Sequence, residues 1–300
     1  MASVTNLRSN HDAKLAAWLP LFVLPVVAMW STRNSAAWLC MWALAFSIYA
    51  GLKWLSYSKY VENHVCTVRR AIGYLVAWPG MDAKSFLSTS RNVAPPHPRE
   101  WCAAVAKTVI GCALIGIAVA LVDWNIWVAG WMGMVGITLA LHFGVFHLLS
   151  TAWRQAGIDA CPIMHAPLLA TSLNNFWGKR WNLAFRDLAH TYVFRMCVGR
   201  WGIAAATMAV FVVSGVIHDV VISLPARAGY GLPTLYFVVQ GAGVMFERSR
   251  LGKHLGLRHG AVGRIYCAAL ILAPVGLLFH PPFVERVVVP MLTILRWDRS

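Results

Sequence analysis

Apolar runs of membrane-crossing length recur along the chain, and no other sequence feature constrains the fold as strongly. They fall at roughly 15–31, 36–55, 101–123, 130–150, 203–223, 233–247 and 265–280, with a weaker one near 283–296. A hydrocarbon core of about 30 Å takes ~20 such residues as a helix. Helix is the expected state because lipid offers the backbone no hydrogen-bond partners. Only 12% of the 300 residues are charged, against about a quarter in a soluble domain, which excludes a conventional soluble fold.

The pattern predicts an all-α polytopic membrane protein with seven or eight transmembrane helices and additional interfacial and re-entrant pieces. The short apolar stretch 71–79 ends in Pro79-Gly80 and reads as one of these. Arg8 and Lys14 precede the first run as in a signal peptide, yet no small-residue cleavage pattern follows before Ser31-Thr32-Arg33-Asn34, so the run is kept as a helix. No period of 20 to 50 residues repeats and no linker divides the chain. Residues 1–300 read as a single integral membrane domain.

The formal charge of +15 raises the question of nucleic acid. With a cytoplasmic N-terminus, 21 of the 26 Lys and Arg fall on the cytoplasmic side, Lys53 and Arg91 among them. Arg33 and Arg227 fall opposite, and Arg286, Arg296 and Arg299 are left unassigned at the C-terminus. The positive-inside rule thus accounts for most of the basicity, and no nucleic-acid partner is required. A bacterial inner membrane or the endoplasmic reticulum suits such a chain. The basic face also suits anionic lipid heads or a phosphorylated soluble substrate. Seven scattered cysteines without a C-x-x-C give neither a disulfide framework nor a zinc site.

Polar side chains inside spanning segments are costly, so each is a functional candidate. In "IAAATMAVFVVSGVIHDVVIS" the residues Thr207, Ser214 and His218 share one helical stripe, with Gly215 one turn before His218. Desolvation favours the neutral imidazole, which is a competent general base. The alternative is a structural histidine bonded to a neighbouring helix or to Ser214. Asp219 points about 100° away around the helix, to orient partners or to mark the far interface. His142 and His147 lie about 140° apart on an ideal helix, which disfavours a shared metal and makes both pocket-lining or structural. Glu247, beside Arg248 and Arg250, reads as half of an interfacial ion pair.

One segment breaks the apolar pattern: "SLNNFWGKRWNLAF", 172–185. Ser172 can cap a helix on which Leu173, Trp177, Trp181, Ala184, Phe185 and Leu188 form one face and Asn175, Lys179, Asn182 and Arg186 another. That is an interfacial amphipathic helix, with Trp at the headgroup level and cations toward water. Asn182, 36 residues before His218, has no use in such an anchor.

This cassette followed by "SGVIHD" resembles the wax synthase branch of the membrane-bound O-acyltransferase (MBOAT) superfamily, whose members carry an FWxRRWN-like segment and then a membrane-embedded histidine. The likeness is close over about 142–222, the family-like catalytic core, and extends loosely to "AWPGMDAKSFL" at 77–87. Lys179 and Asp219 depart from the commoner arginine and glutamate. The resemblance implies an acyl-CoA-dependent transferase with His218 as general base and Asn182 assisting it. Acyl-CoA is then a co-substrate, and no resident cofactor or metal is implied. Substrate contacts are expected from Trp177, Trp181, Ser214, Asp219 and His142, and the phosphates of coenzyme A from Lys179, Arg180 and Arg186. A lipophilic alcohol is the implied acceptor, which makes the product a wax ester. Diacylglycerol, a sterol or terpenoid, or a specialised-metabolite hydroxyl would serve the same chemistry. A transporter, or a haem protein using His142, His147 and His218, is the alternative of a different class. Oligomeric state is not legible.

Overall fold

The computed structural model describes residues 2–89 and 93–296, with side chains from Leu15 onward. Arg91 and Arg299, and the side chains of Arg8 and Lys14, lie outside the described residues. Among the described residues the regular structure is entirely helical.

Helix α1 (Ala2–Ser31) carries an apolar stretch, Leu15–Ser31, and packs along α2 (Ala37–Val61). Two short helices follow, α3 (Val68–Ala77) and α4 (Ala83–Leu87). Then come α5 (Pro98–Leu121) and α6 (Ile126–Gln155), α7 (Leu173–Lys179), α8 (Leu183–Ala226) and α9 (Leu232–Arg248). The chain closes with α10 (Arg250–His254), α11 (Gly260–Leu278) and α12 (281–294). Among the described residues five helices, α2, α5, α6, α8 and α11, are long and apolar enough to cross a membrane. Their outward surfaces agree: Val109 of α5 and Ile265 of α11 are 61% and 69% exposed, a distribution that only lipid makes favourable.

Local signals set the helix starts. His97 and Glu100 form a capping box ahead of α5, and Asn125 accepts the N–H groups of Trp127 and Val128 at the start of α6. Helix α8 is not one straight rod. Gly202 takes φ +77°, which turns an amphipathic stretch ending in exposed Trp201 into the apolar stretch 203–218. Helices α8 and α9 meet at backbone distance, because a Cβ on Gly215 would lie 2.6 Å from the Thr234 Cα.

Contacts sort the loops to two ends of the bundle. Arg227 donates to the Arg33 carbonyl at 3.3 Å, Arg286 to the Ala226 carbonyl at 3.1 Å, and Arg296 to Asp123 at 3.0 Å. Both arginines of the last apolar run therefore meet the same end. Helix α12 lies along that end, with Val284 and Leu292 packed on Gly130 and Gly133, and is not among the helices long and apolar enough to cross. The opposite end gathers Glu100 with Arg154, Arg180 with the His165 carbonyl, and Arg248 with Asn174.

The stretch 71–79 is an amphipathic helix, α3, that buries Tyr74 completely while Val68 and Val76 stand exposed. After it the chain turns inward. Lys53, expected among solvated loop charges, is instead 1% exposed: its ammonium lies 3.2 Å over the Tyr74 ring and donates to the Gly80 carbonyl. Helix α2 runs to Val61, under two turns beyond its apolar run, and Lys53 lies inside the helix on its buried face. Burial also pushes the Tyr74 phenol above its ordinary pKa; the hydroxyl donates to the Met81 carbonyl and lies 2.7 Å from Ser56 Oγ. Together with Tyr49, which donates to the Trp78 carbonyl at 2.8 Å, these groups fix the Trp78–Met81 turn.

Candidate active site

The polar cassette folds as two short helices rather than one interfacial helix. Ser172 caps α7 by accepting the Asn175 N–H, as its sequence position suggests. The helix stops at Arg180, whose guanidinium binds Asn175 Oδ1 at 2.6 Å and the carbonyls of His165 and Ala166. Asn182 then adopts φ +41°, ψ +62°, and its Oδ1 caps α8 by accepting the Phe185 N–H at 3.2 Å. A left-handed residue is incompatible with continuous helix, so the single amphipathic face drawn through 173–188 does not exist. Nor does α7 lie apart from α9. Its Asn174 N–H meets Glu247, and its Trp177 indole donates to Gln240, seven residues further along α9. At 1.5 Å per residue the two contacts lie about 10 Å apart along α9, a span covered by one turn of α7 together with the reach of the Trp177 side chain.

Glu247 is accordingly not in an interfacial ion pair. It is 1% exposed and accepts the Asn174 N–H at 3.1 Å, while the Arg248 guanidinium bonds the Asn174 side chain. Burial against α7 leaves the carboxylate no route to the arginines in solvent.

The α7–α8 turn opens onto a cavity of about 760 Å³, walled by α2, the Trp78–Met81 turn, α6, α8 and α9. Of the residues singled out from sequence, Asn182, His218, His142, Trp177, Trp181, Arg186 and Ser214 all line it. Lys179, Arg180 and Asp219 do not. His147 does not either; its Nε2 lies 3.8 Å from Glu100, which also pairs with Arg154. Residues 138–145 wind as π-helix, and this wide turn carries His142 to the cavity while His147, on the following α-helical turn, faces α5. Among the described residues no group of three or more His, Cys, Asp and Glu is placed to share a metal.

His218 has a defined tautomer. Its Nδ1 lies 2.7 Å from the Ser214 carbonyl oxygen, which can only accept, so Nδ1 carries the proton and Nε2 keeps a lone pair. The ring packs on Phe237, centroids 4.5 Å apart, and Trp177 packs on Phe237 and Phe211 in turn. Phe237 is eleven residues before Arg248 on α9, so the imidazole sits ~16 Å below the arginine end. The cavity joins these two levels: Arg186 and Arg248 are at one end, His218 and Val221 at the other.

Asp219 faces the opposite way from its neighbour. Its carboxylate accepts from Ser223 Oγ at 2.9 Å, Gly231 N at 2.8 Å, Thr234 N at 3.0 Å and Thr234 Oγ1. Gly231 has no side chain to cap α9, and Asp219 supplies the cap from α8.

Three participants escaped the reading of the sequence. Gln240, fully buried, holds Trp177; a lone amide within "YFVVQGAGV" was a signal by the same rule that selected His218. Arg248 and Asn174 reach the cavity through the packing of α7 on α9, which no spacing announced.

The sequence model described as Membrane bound O-acyl transferase family matches residues 160–239, a stretch that holds Asn182 and His218. The probable long-chain-alcohol O-fatty-acyltransferase 7 of Arabidopsis thaliana is 33% identical over 146 residues, 43% of this chain and 42% of that protein. The long-chain-alcohol O-fatty-acyltransferase of Simmondsia chinensis is 31% identical over 142 residues, 43% of this chain and 40% of that protein. The chain thus covers about two-fifths of the length of these curated relatives. The resemblance carried by the FW-RWN cassette and the H-D pair is real, and the matched stretch supplies the α7, α8 and α9 residues that line one side of the cavity up to Phe237.

Proposed function

We propose that the protein transfers a fatty acyl group from acyl-CoA to the hydroxyl of a lipophilic alcohol, forming a wax ester, with His218 as general base. The observation that carries this reading is the bare Nε2 of His218, set by the Nδ1 contact to Ser214, on an apolar cavity that also holds the Asn182 amide. A neutral imidazole with one fixed N–H is the form a general base needs.

The acceptor oxygen loses its proton to His218 Nε2 as it attacks the thioester carbonyl carbon. The carbonyl π electrons move onto oxygen. Collapse of the tetrahedral species breaks the C–S bond, and the leaving thiolate recovers the proton from the imidazolium. No acyl-enzyme is needed, since thiolate leaves far more readily than alkoxide. Asn182 spends its Oδ1 on the Phe185 N–H, so its amide offers donors only, which suits the acyl carbonyl. Trp177 and Trp181 line the acyl path, and Ser214 holds the base. Arg186 and Arg248 at the rim, with Lys179 on α7, receive the phosphates of coenzyme A from the cytosol.

The same reading places the N-terminus in the cytoplasm, whether of a bacterial inner membrane or of the endoplasmic reticulum. Leu15–Ser31 and α9 supplement the five long helices to give seven crossings, which puts α12 and the C-terminus on the far side. Residues 1–300 act as a single membrane domain.

The test is an acceptor panel: membranes holding the protein are given one labelled acyl-CoA with long-chain alcohols, diacylglycerol or sterol, and products are identified by mass. Wax ester as the dominant product is expected. Acyl-CoA left intact with every acceptor would remove the assignment.

A further inference from the structure

A second histidine on the cavity is arranged in the opposite sense to His218. His142 lines the cavity from the π-helical turn of α6, with its ring edge-on to Phe146 at 5.3 Å. Its Nδ1 is sealed from solvent and has no hydrogen-bond partner, whereas Nε2 is not sealed and meets no protein acceptor among the described residues. An orphaned buried N–H is rarer and costlier than an orphaned lone pair. The neutral ring therefore carries its proton on Nε2, the nitrogen open to the cavity. His218 presents a lone pair there, and His142 presents an N–H.

Donors are scarce on this wall. Thr207 and Ser214 give their hydroxyl protons to the carbonyls of Ile203 and Val210, at 2.8 and 2.9 Å. Tyr49 gives its own to Trp78, and the Trp177 indole N–H goes to Gln240. Among the described residues the Asn182 amide and His142 Nε2–H, like the indole N–H groups of Trp78 and Trp181, bond nothing in the protein. Asn182 and His142 also belong to packed neighbours: Phe143, next to His142, meets the ring of Trp181, next to Asn182, at 6.1 Å between centroids.

We infer that His142 is a catalytic residue that, together with Asn182, donates to the acyl carbonyl oxygen as it becomes an oxyanion. The inference rests on the acyl-transfer reading above and adds to it the second donor. The bonding changes are those already given: the electron pair displaced from the carbonyl resides on that oxygen until C–S cleavage returns it. In a site of low dielectric, preorganised donors aimed at that oxygen act chiefly in the transition state.

The test compares wild type, His218→Ala, His142→Leu and His142→Gln, each purified in detergent and assayed for thiol release from acyl-CoA with the best alcohol. Loss of one oxyanion donor typically lowers kcat by about 100-fold or more. His142→Leu is expected to show that loss with KM within about twofold, and His142→Gln, whose amide restores an N–H, to recover most of the rate. His142→Met serves if the Leu variant does not accumulate. The acid limb of the pH profile, set by His218, should not move in the Gln variant. Wild-type kcat in His142→Leu, or equal losses in Leu and Gln, overturns the donor role while leaving the acyl-transfer reading in place. A wild type that releases no thiol, or a His218→Ala variant as active as wild type, overturns that reading and this inference with it.

Discussion

The end of the apolar stretch of α8 shows two faces, one residue apart, that handle polarity in opposite ways. On the cavity face His218 spends one nitrogen on its own helix and leaves the other bare. On the seam face Asp219 spends both oxygens on four donors from α8, the 227–231 loop and α9. The seam is a satisfied network of the kind that holds two helices in a fixed relation. The cavity face is incomplete without a ligand. On the proposed function, an H-D pair in sequence encodes the general base and the stitch that positions it, and substitutions should separate the two.

The largest effect is expected on the cavity side. Asn182→Asp keeps an oxygen to cap the Phe185 N–H and tolerates the left-handed backbone, yet removes both amide donors. Transfer should fall by about 100-fold or more with an unchanged thermal midpoint. Full activity would break the contrast, because Asn182 would then be only a cap. Next comes the seam. Asp219→Ala leaves the half-buried Thr234 N–H without a partner, at a cost of about 1–3 kcal/mol, while the exposed Gly231 N–H turns to water. Unfolding in detergent should report the loss directly, and activity should fall only in proportion to the folded fraction if His218 keeps its place. Activity lost at full stability would mean that Asp219 acts in the chemistry.

The smallest effect concerns the continuation of the seam. His280 is fully buried, with Nδ1 accepting the Phe283 N–H and Nε2 facing Ser223 Oγ, each at 3.3 Å, while Gly229 lies against its ring. Burial lowers its pKa, the nearby Asp219 carboxylate opposing this in part. A histidine whose folded pKa is depressed binds its proton more readily when unfolded. Its contribution is therefore present above about pH 6.5 and is lost as the pH falls below that value. The thermal midpoint should drop from pH 7 to pH 5.5, and His280→Gln should flatten that slope. An unchanged slope in the variant would place the pH sensitivity elsewhere.

How much of this was legible in the sequence follows from what each signal measures. Apolar runs report burial in lipid, and they located α2, α5, α6, α8 and α11. They do not separate 283–296 from the spans, because a helix lying along one end of the bundle is as apolar as one that crosses. The cassette was legible as a site and not as a shape: helical periodicity continues through Trp181 and Asn182, and only the backbone reveals the left-handed break there. Charge counting assigned Lys53 to solvent, since nothing in the local pattern shows that the Tyr74 ring and the Gly80 carbonyl wait for it. Glu247 was misread for the same reason, its partner lying 73 residues away in sequence. Long-range polar pairing is what single-sequence patterns lack.

The central claim is that Nε2 of His218 takes the proton from the acceptor hydroxyl. It is tested most directly by thiol release from acyl-CoA, measured with and without a long-chain alcohol in proteoliposomes of the wild type and of His218→Ala at matched protein. The account predicts release that depends on alcohol and matches ester formed one for one, falling about 10²- to 10⁴-fold in the variant. Alcohol-dependent release at the wild-type rate in His218→Ala would contradict it.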